Sequence, residues 1–140
     1  MIQQSTTDNT GSKLPPPSKG PSTKGTLVTV LQFLVGALVT MGGTLFATLA
    51  LNEYGRSLGI AHLSIGLLAL AGGFVAWKRA PWSRSYLLAI DALTIAYSTT
   101  SETLVQVQSL LPSYASLGSL IGTVIAIIMS GVIIYLETRS

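Results

Sequence analysis

The chain contains no cysteine, which removes disulfides, thiolate metal sites and cysteine nucleophiles and leaves the redox compartment unmarked. It has one histidine. With no second imidazole and no thiolate, metal or haem ligation from within the chain lacks a ligand set. Charge is scarce as well: 9% of the 140 residues are Asp, Glu, Lys or Arg, against about a quarter in a soluble domain. A water-soluble domain of this size needs more polar side chains to cover its outside, and the mean hydropathy of +0.59 agrees with a membrane protein. A net charge of +3 does not make it a nucleic-acid partner, because the cations sit at helix ends and not along one face with interleaved aromatics. No Ser-His-Asp order, Gly-rich phosphate loop, metal-spacing cluster or paired carboxylate set can be assembled. No catalytic residue, metal or cofactor is therefore expected.

What the sequence does have is long apolar runs. After residues 1–25, which are dense in Ser, Thr, Pro, Gly and Lys without an aromatic and read as a disordered tail, four segments follow. They are residues 27–51, 58–77, 82–103 and 114–136, each close to the roughly 20 residues that cross about 30 Å of hydrocarbon as a helix. The first run is too long for the h-region of a secretory signal and would stay as an anchor. The third is the least clear, its far end falling between Tyr97 and Gln108. The stretch TLVQVQSLL, residues 103–111, is either the last turns of a long third helix or a short interfacial helix, ended by Pro112. Short connections at residues 52–57 and 78–81 force antiparallel neighbours. The expected fold is an all-α integral membrane bundle of four helices, up-down-up-down.

Cation placement sets the orientation. Lys13, Lys19 and Lys24 in the tail, Lys78, Arg79 and Arg84 in the middle turn, and Arg139 fall on one side; Arg56 stands alone opposite. Both termini and the middle turn are expected in the cytoplasm, with the protein multi-pass in the plasma membrane. Trp77 and Trp82 mark that inner boundary with Tyr86 and Tyr135, and Tyr54 and Tyr114 mark the outer one, since amphipathic rings prefer headgroup depth.

Between helices in lipid, small residues permit close packing. The fourth segment carries Gly118, Gly122, Ala126 and Ser130 at strict four-residue spacing, the strongest packing stripe in the sequence. Gly43 with Ala47, Ala69 with Gly73, and Ala92 with Ala96 are weaker versions. Asp91 is the most informative residue, because an acid within a span costs a few kcal/mol on insertion scales and so faces the protein interior. Counting rise per residue puts Gln32 and Ser130 at its depth, predicting a buried Gln32, Asp91 and Ser130 layer. His62 falls near Tyr97, Thr40 and Thr123, about 10 Å from Asp91. Glu53 and Arg56 are spaced for a surface pair, and Glu102 reads as a third outer charge.

The layout, with GIAHLSIG opening the second segment and WKRAPWSR in the turn after it, resembles small four-span prokaryotic membrane proteins of the DoxX-like group. That resemblance implies an archaeal or bacterial membrane bundle and transfers no site residues. The expected partners are the lipid bilayer and other membrane subunits or a second copy. The leading expectation is a noncatalytic accessory or assembly subunit acting through helix-helix contacts. The alternatives are a small transporter or channel with a polar path through Asp91 and His62, and a subunit of a membrane-bound redox enzyme.

Overall fold

The computed structural model describes residues 23–139. They form a bundle of α1 (Thr23–Leu49), α2 (Glu53–Lys78), α3 (Ser83–Gln108) and α4 (Ser113–Thr138). At 1.5 Å per residue each helix is about 40 Å long, more than a hydrocarbon core requires. The expected tail lies almost wholly outside the described residues. Its last part, Thr23 to Gly25, belongs to α1, since no proline follows Pro21 to interrupt the helix.

Each helix runs past its apolar segment at one end or both, and α2 shows how a polar end is held. At α2 the chain turns helical at Glu53 and not at residue 58: the Asn52 side chain accepts from Gly55 N–H at 2.8 Å, and Glu53 adds an acid to the first turn, where the helix dipole favours it. The loop expected at residues 52–57 is thus reduced to 50–52. The stretch 103–108 is the end of α3 and not a separate interfacial helix. Arg79 and Ser109 close α2 and α3 in the left-handed region, at φ 56° and 53°. A non-glycine residue there costs about 1 kcal/mol. The cap N–H groups offset this by reaching back to Ala76 O and Val105 O respectively.

The helices stand in a ring: α1 touches α2 and α4, α3 touches α2 and α4, and neither diagonal pair comes into backbone contact among the described residues. Leu51 N–H donates to Leu110 O at 3.0 Å, so the 50–52 and 109–112 connections share one end of the bundle. Beneath them Phe46, Val105, Leu110 and Leu111 make a small core. A larger core, which includes Val35, Ala69, Leu87 and Ile133, fills the rest.

The α1–α2 seam is locked by glycine. Going up α1 and down α2, Phe33 lies on Gly73, Gly36 on Leu70, Thr40 on Gly66, Gly43 on Leu63 and Ala47 on Gly59. A Cβ added at Gly36 would stand 2.6 Å from Leu70 N, and at Gly43, Gly59 and Gly66 it would run into the backbone of Leu63, Ala47 and Thr40. Only the absence of a side chain lets the two backbones approach this closely.

The outside of the bundle is apolar. Leu34, Met41, Leu67, Phe74, Ile121 and Ile128 are among the many large hydrophobic side chains left exposed. Three helices, α1, α2 and α4, are long and apolar enough to cross a membrane. The third segment, expected to match them, does not reach that apolarity among the described residues. The reason is local: α3 carries Asp91, Thr94, Ser98, Ser101 and Glu102, and all five are buried. Its other face, with Ala89, Ala92, Leu93 and Ala96, is exposed. Thr99, Thr100 and Thr103 are exposed as well, so in its C-terminal half α3 carries polar residues on both faces.

Candidate polar interior and outer cavity

Positions 91, 94, 98, 101 and 102 advance by three or four residues, or by one, and so stay on one side of α3. The result is a lane of hydroxyls with a carboxylate at either end. Asp91 and Glu102 are eleven residues apart in sequence, three helical turns or about 16 Å along the axis. Within the lane Thr94 Oγ1 donates to Ile90 O at 2.8 Å and Ser101 Oγ to Ser98 O at 3.3 Å.

At the inner end, Gln32, Asp91 and Ser130 are each 0% exposed. Gln32 crosses the α1–α2 seam to donate from Nε2 to Ala69 O at 3.1 Å. Gly72 lies close beside it: a Cβ there would be 3.2 Å from Gln32 Nε2. Gln32 and Ser130 face the Asp91 carboxyl from α1 and α4. The cluster expected from helix rise is therefore assembled. Ser130 and Gln32 act on Asp91 as hydrogen-bonding neighbours, while Gln32 Oε1, the Asp91 carboxyl oxygens and Ser130 Oγ fall outside strict hydrogen-bond geometry.

At the outer end the situation reverses. Glu102, read from sequence as an outer surface charge, is 7% exposed. One carboxylate oxygen accepts from Ser119 Oγ at 2.6 Å and Thr123 Oγ1 at 3.2 Å, and the other accepts from Gln106 Nε2. Ser119 and Thr123 are one turn apart on α4 and so present both hydroxyls to the same acceptor. Ser116 Oγ donates to Gln106 Oε1 at 3.2 Å, continuing the α3–α4 connection toward the turn. The correction has a plain cause. The polar STTSE run left the far end of the third segment open, but α3 remains helical through it and turns Ser98, Ser101 and Glu102 inward.

His62 lies beside Tyr97, ring centroids 5.9 Å apart, and within the electrostatic reach of Glu102. Tyr97 is fixed by donating from its hydroxyl to Leu58 O at 2.8 Å. His62 Nδ1 and Thr40 Oγ1 are buried without a partner among the described residues. The histidine thus belongs with Glu102, and Asp91 belongs to the other layer.

Between α1 and α4, over this outer cluster, lies a cavity of about 400 Å³. Leu38, Gly42, Leu45 and Phe46 of α1 form one wall; Tyr114, Gly118, Gly122 and Ala126 of α4 form the other; His62, Ser98, Ser101 and Glu102 line the base with Ser119 and Thr123. The small-residue stripe of α4 is therefore divided. Ala126 and Ser130 are buried in the bundle, whereas a Cβ added at Gly118 or Gly122 would meet nothing within 4 Å.

Lys78, Arg79, Arg84, Trp77 and Trp82 cluster at the end of the bundle that holds the 79–82 turn. All five are exposed. Trp82 packs on Tyr86 with centroids 6.0 Å apart, and Tyr86 ties α3 to α2 by donating to Leu68 O at 2.6 Å. Arg139 stacks over the Tyr135 ring at 5.3 Å.

Glu102, taken as an outer charge, and Gln106 and Ser119 are the members of the site that sequence reasoning missed, whereas Thr123 was already placed near His62. The available signal was the spacing of eleven between the two acids, which places them on one face of any continuous helix. No family model, curated protein or solved structure matches the chain.

Proposed function

We propose that this chain is a small membrane carrier through whose interior a proton passes between Asp91 and Glu102. The observation that carries the reading is the buried lane on α3: an acid at each end and Thr94, Ser98 and Ser101 between them. Acids are rare in a lipid-facing bundle and mark ion or proton paths when they lie inside one. Asp91 is faced by the neutral side chains of Ser130 and Gln32 and makes no ion pair among the described residues, which suits a group that exchanges a proton, and His62 within electrostatic reach of Glu102 adds an imidazole near the other end of the lane.

In this reading all four helices cross the bilayer. The descending order of the α2 residues that meet ascending α1 residues supports antiparallel neighbours, and the Leu51–Leu110 bond supports an up-down-up-down path. α3 crosses despite its composition because its polar face is covered by the other helices. The cation count supports a cytoplasmic location for both termini and the 79–82 turn.

The test is proton movement in vesicles holding the full chain and a trapped pH dye, driven by a potassium diffusion potential. Wild type should shift the internal pH, and Asp91→Asn should reduce the rate at least tenfold while leaving the helical spectrum unchanged. A wild type no faster than empty vesicles would end the proposal.

A second reading, an assembly subunit that packs against another membrane helix, is favoured by one observation: a Cβ added at Gly118 or Gly122 on α4 would meet nothing within 4 Å. The mass of the particle in mild detergent tests it, and a strict monomer with no co-purifying protein counts against it.

A further inference from the structure

The outer cavity has features that a proton lane alone does not require. A path for protons needs a file of polar groups, whereas this space of about 400 Å³ is as large as cavities that hold small organic ligands, roughly 300–1,000 Å³. Most of its wall is hydrocarbon, from Leu38, Leu45 and Phe46 on one side and Ala126 on the other. Its base holds a buried carboxylate.

That carboxylate has an uncommon environment. Its three donors, Ser119, Thr123 and Gln106, are all neutral, and they hold the side chain in place without balancing charge. The ion pair between Arg56 and Glu53 is the only one among the described residues, so no described Lys or Arg neutralises Glu102. Each carboxylate oxygen can accept more than one hydrogen bond, which leaves the oxygen bonded to Gln106 with capacity for another donor. On the α2 side, His62 Nδ1 is a second buried polar atom without a partner. Phe46 and Tyr114 add aromatic surface to the wall, a favourable neighbour for a cation.

The way in is the α1–α4 seam. Met41, Gly42 and Leu45 on α1, and Tyr114 and Gly118 on α4, line the cavity and are exposed. For a protein embedded as proposed above, that seam faces acyl chains. A ligand reaching it needs an apolar body, and one held at its base needs a positive nitrogen that donates a hydrogen bond.

We infer that the cavity binds lipophilic amines, with the protonated nitrogen on Glu102 and the apolar body between α1 and α4. The inference rests on the membrane reading and names the substrate class of the outer end of the lane.

Equilibrium binding to the full chain in uncharged phosphatidylcholine nanodiscs tests it, using fluorescence anisotropy of monodansylcadaverine and of its counterpart with a hydroxyl in place of the terminal amine. The amine should bind saturably and at least tenfold more tightly than the alcohol. Glu102→Gln should abolish that preference, while Glu53→Gln, which removes the same charge from the surface, should retain it. Because Glu102→Gln alters three hydrogen bonds, Gly122→Leu provides an independent check: it leaves the carboxylate intact, fills the cavity and should also prevent binding. Equal binding of amine and alcohol would overturn the inference, as would unchanged binding in both Glu102→Gln and Gly122→Leu. A dimer in the same nanodiscs that Gly122→Leu splits into monomers would assign the seam to a second copy and overturn it as well. No gradient is applied, so proton flux without amine binding rejects only this inference, and amine binding without flux rejects only the carrier reading.

Discussion

The two halves of the ring are held together by opposite means. Across α1–α2 the contact is close, with Gly36, Gly43, Gly59 and Gly66 set against the opposite backbone and Gly73 against the Phe33 ring, alternating between the two helices. Across α3–α4 the contact is made by side chains reaching over a wider gap: Glu102 to Ser119 and Thr123, and Gln106 to Ser116. Close packing at glycine makes a rigid wall, which Gln32 crosses with its bond to Ala69 O. Polar bridges leave room: the buried lane runs along α3, and the cavity opens beside it between α1 and α4. The difference suggests a division of labour in which α1–α2 is scaffold and α3 with α4 carries the chemistry.

The contrast can be broken most severely on the scaffold side. Gly43→Leu or Gly66→Leu forces a side chain into the backbone of the opposite helix and should leave no monodisperse folded protein by size-exclusion chromatography. The milder Gly43→Ala should cost about 1–3 kcal/mol, the usual range for overpacking, measured by unfolding in mixed micelles. Gly118→Ala and Gly122→Ala add the same methyl to open space and should remain within about 0.5 kcal/mol of wild type. If all the glycine variants lost stability equally, the division would be false.

The α3–α4 side is sharpened by Glu102→Ala. It leaves the Ser119 and Thr123 hydroxyls without their acceptor, a loss of about 1–3 kcal/mol that the same unfolding titration would register. Tyr97→Phe, which removes the bond to Leu58 O, should cost about 0.6 kcal/mol, the average for such bonds between membrane helices. The smallest effect is expected at the surface: Glu53→Gln breaks the exposed pair with Arg56 and should change stability by well under 1 kcal/mol.

The two halves also differed in how well the sequence revealed them. Gln32, Asp91 and Ser130 could be placed together from rise per residue alone, because each lies well inside an apolar run and the register of a helix is rigid. Glu102 could not, because the polarity of STTSE looks the same whether the residues face water or the inside of a bundle. Only the packing of α3 against α4 distinguishes the two. The glycine lock was hidden for a related reason. On one helix its period is seven, as in Gly59, Gly66 and Gly73, and it closes only when α1 and α2 are set in register. The four-residue stripe on α4 is more conspicuous in sequence, yet Gly118 and Gly122 meet no neighbour. Periodicity within a helix says which residues share a face; it does not say which face is covered.

The account depends most on α3 crossing the bilayer with its polar side inward, and the lack of cysteine in the chain makes a direct measurement simple. A single cysteine is placed at Ser85 or at Gln108, both exposed and near opposite ends of α3, and is treated in intact cells with a maleimide that cannot cross the membrane. The account predicts labelling of Gln108→Cys from outside and of Ser85→Cys only after the membrane is opened. Labelling of both from the same side would contradict it.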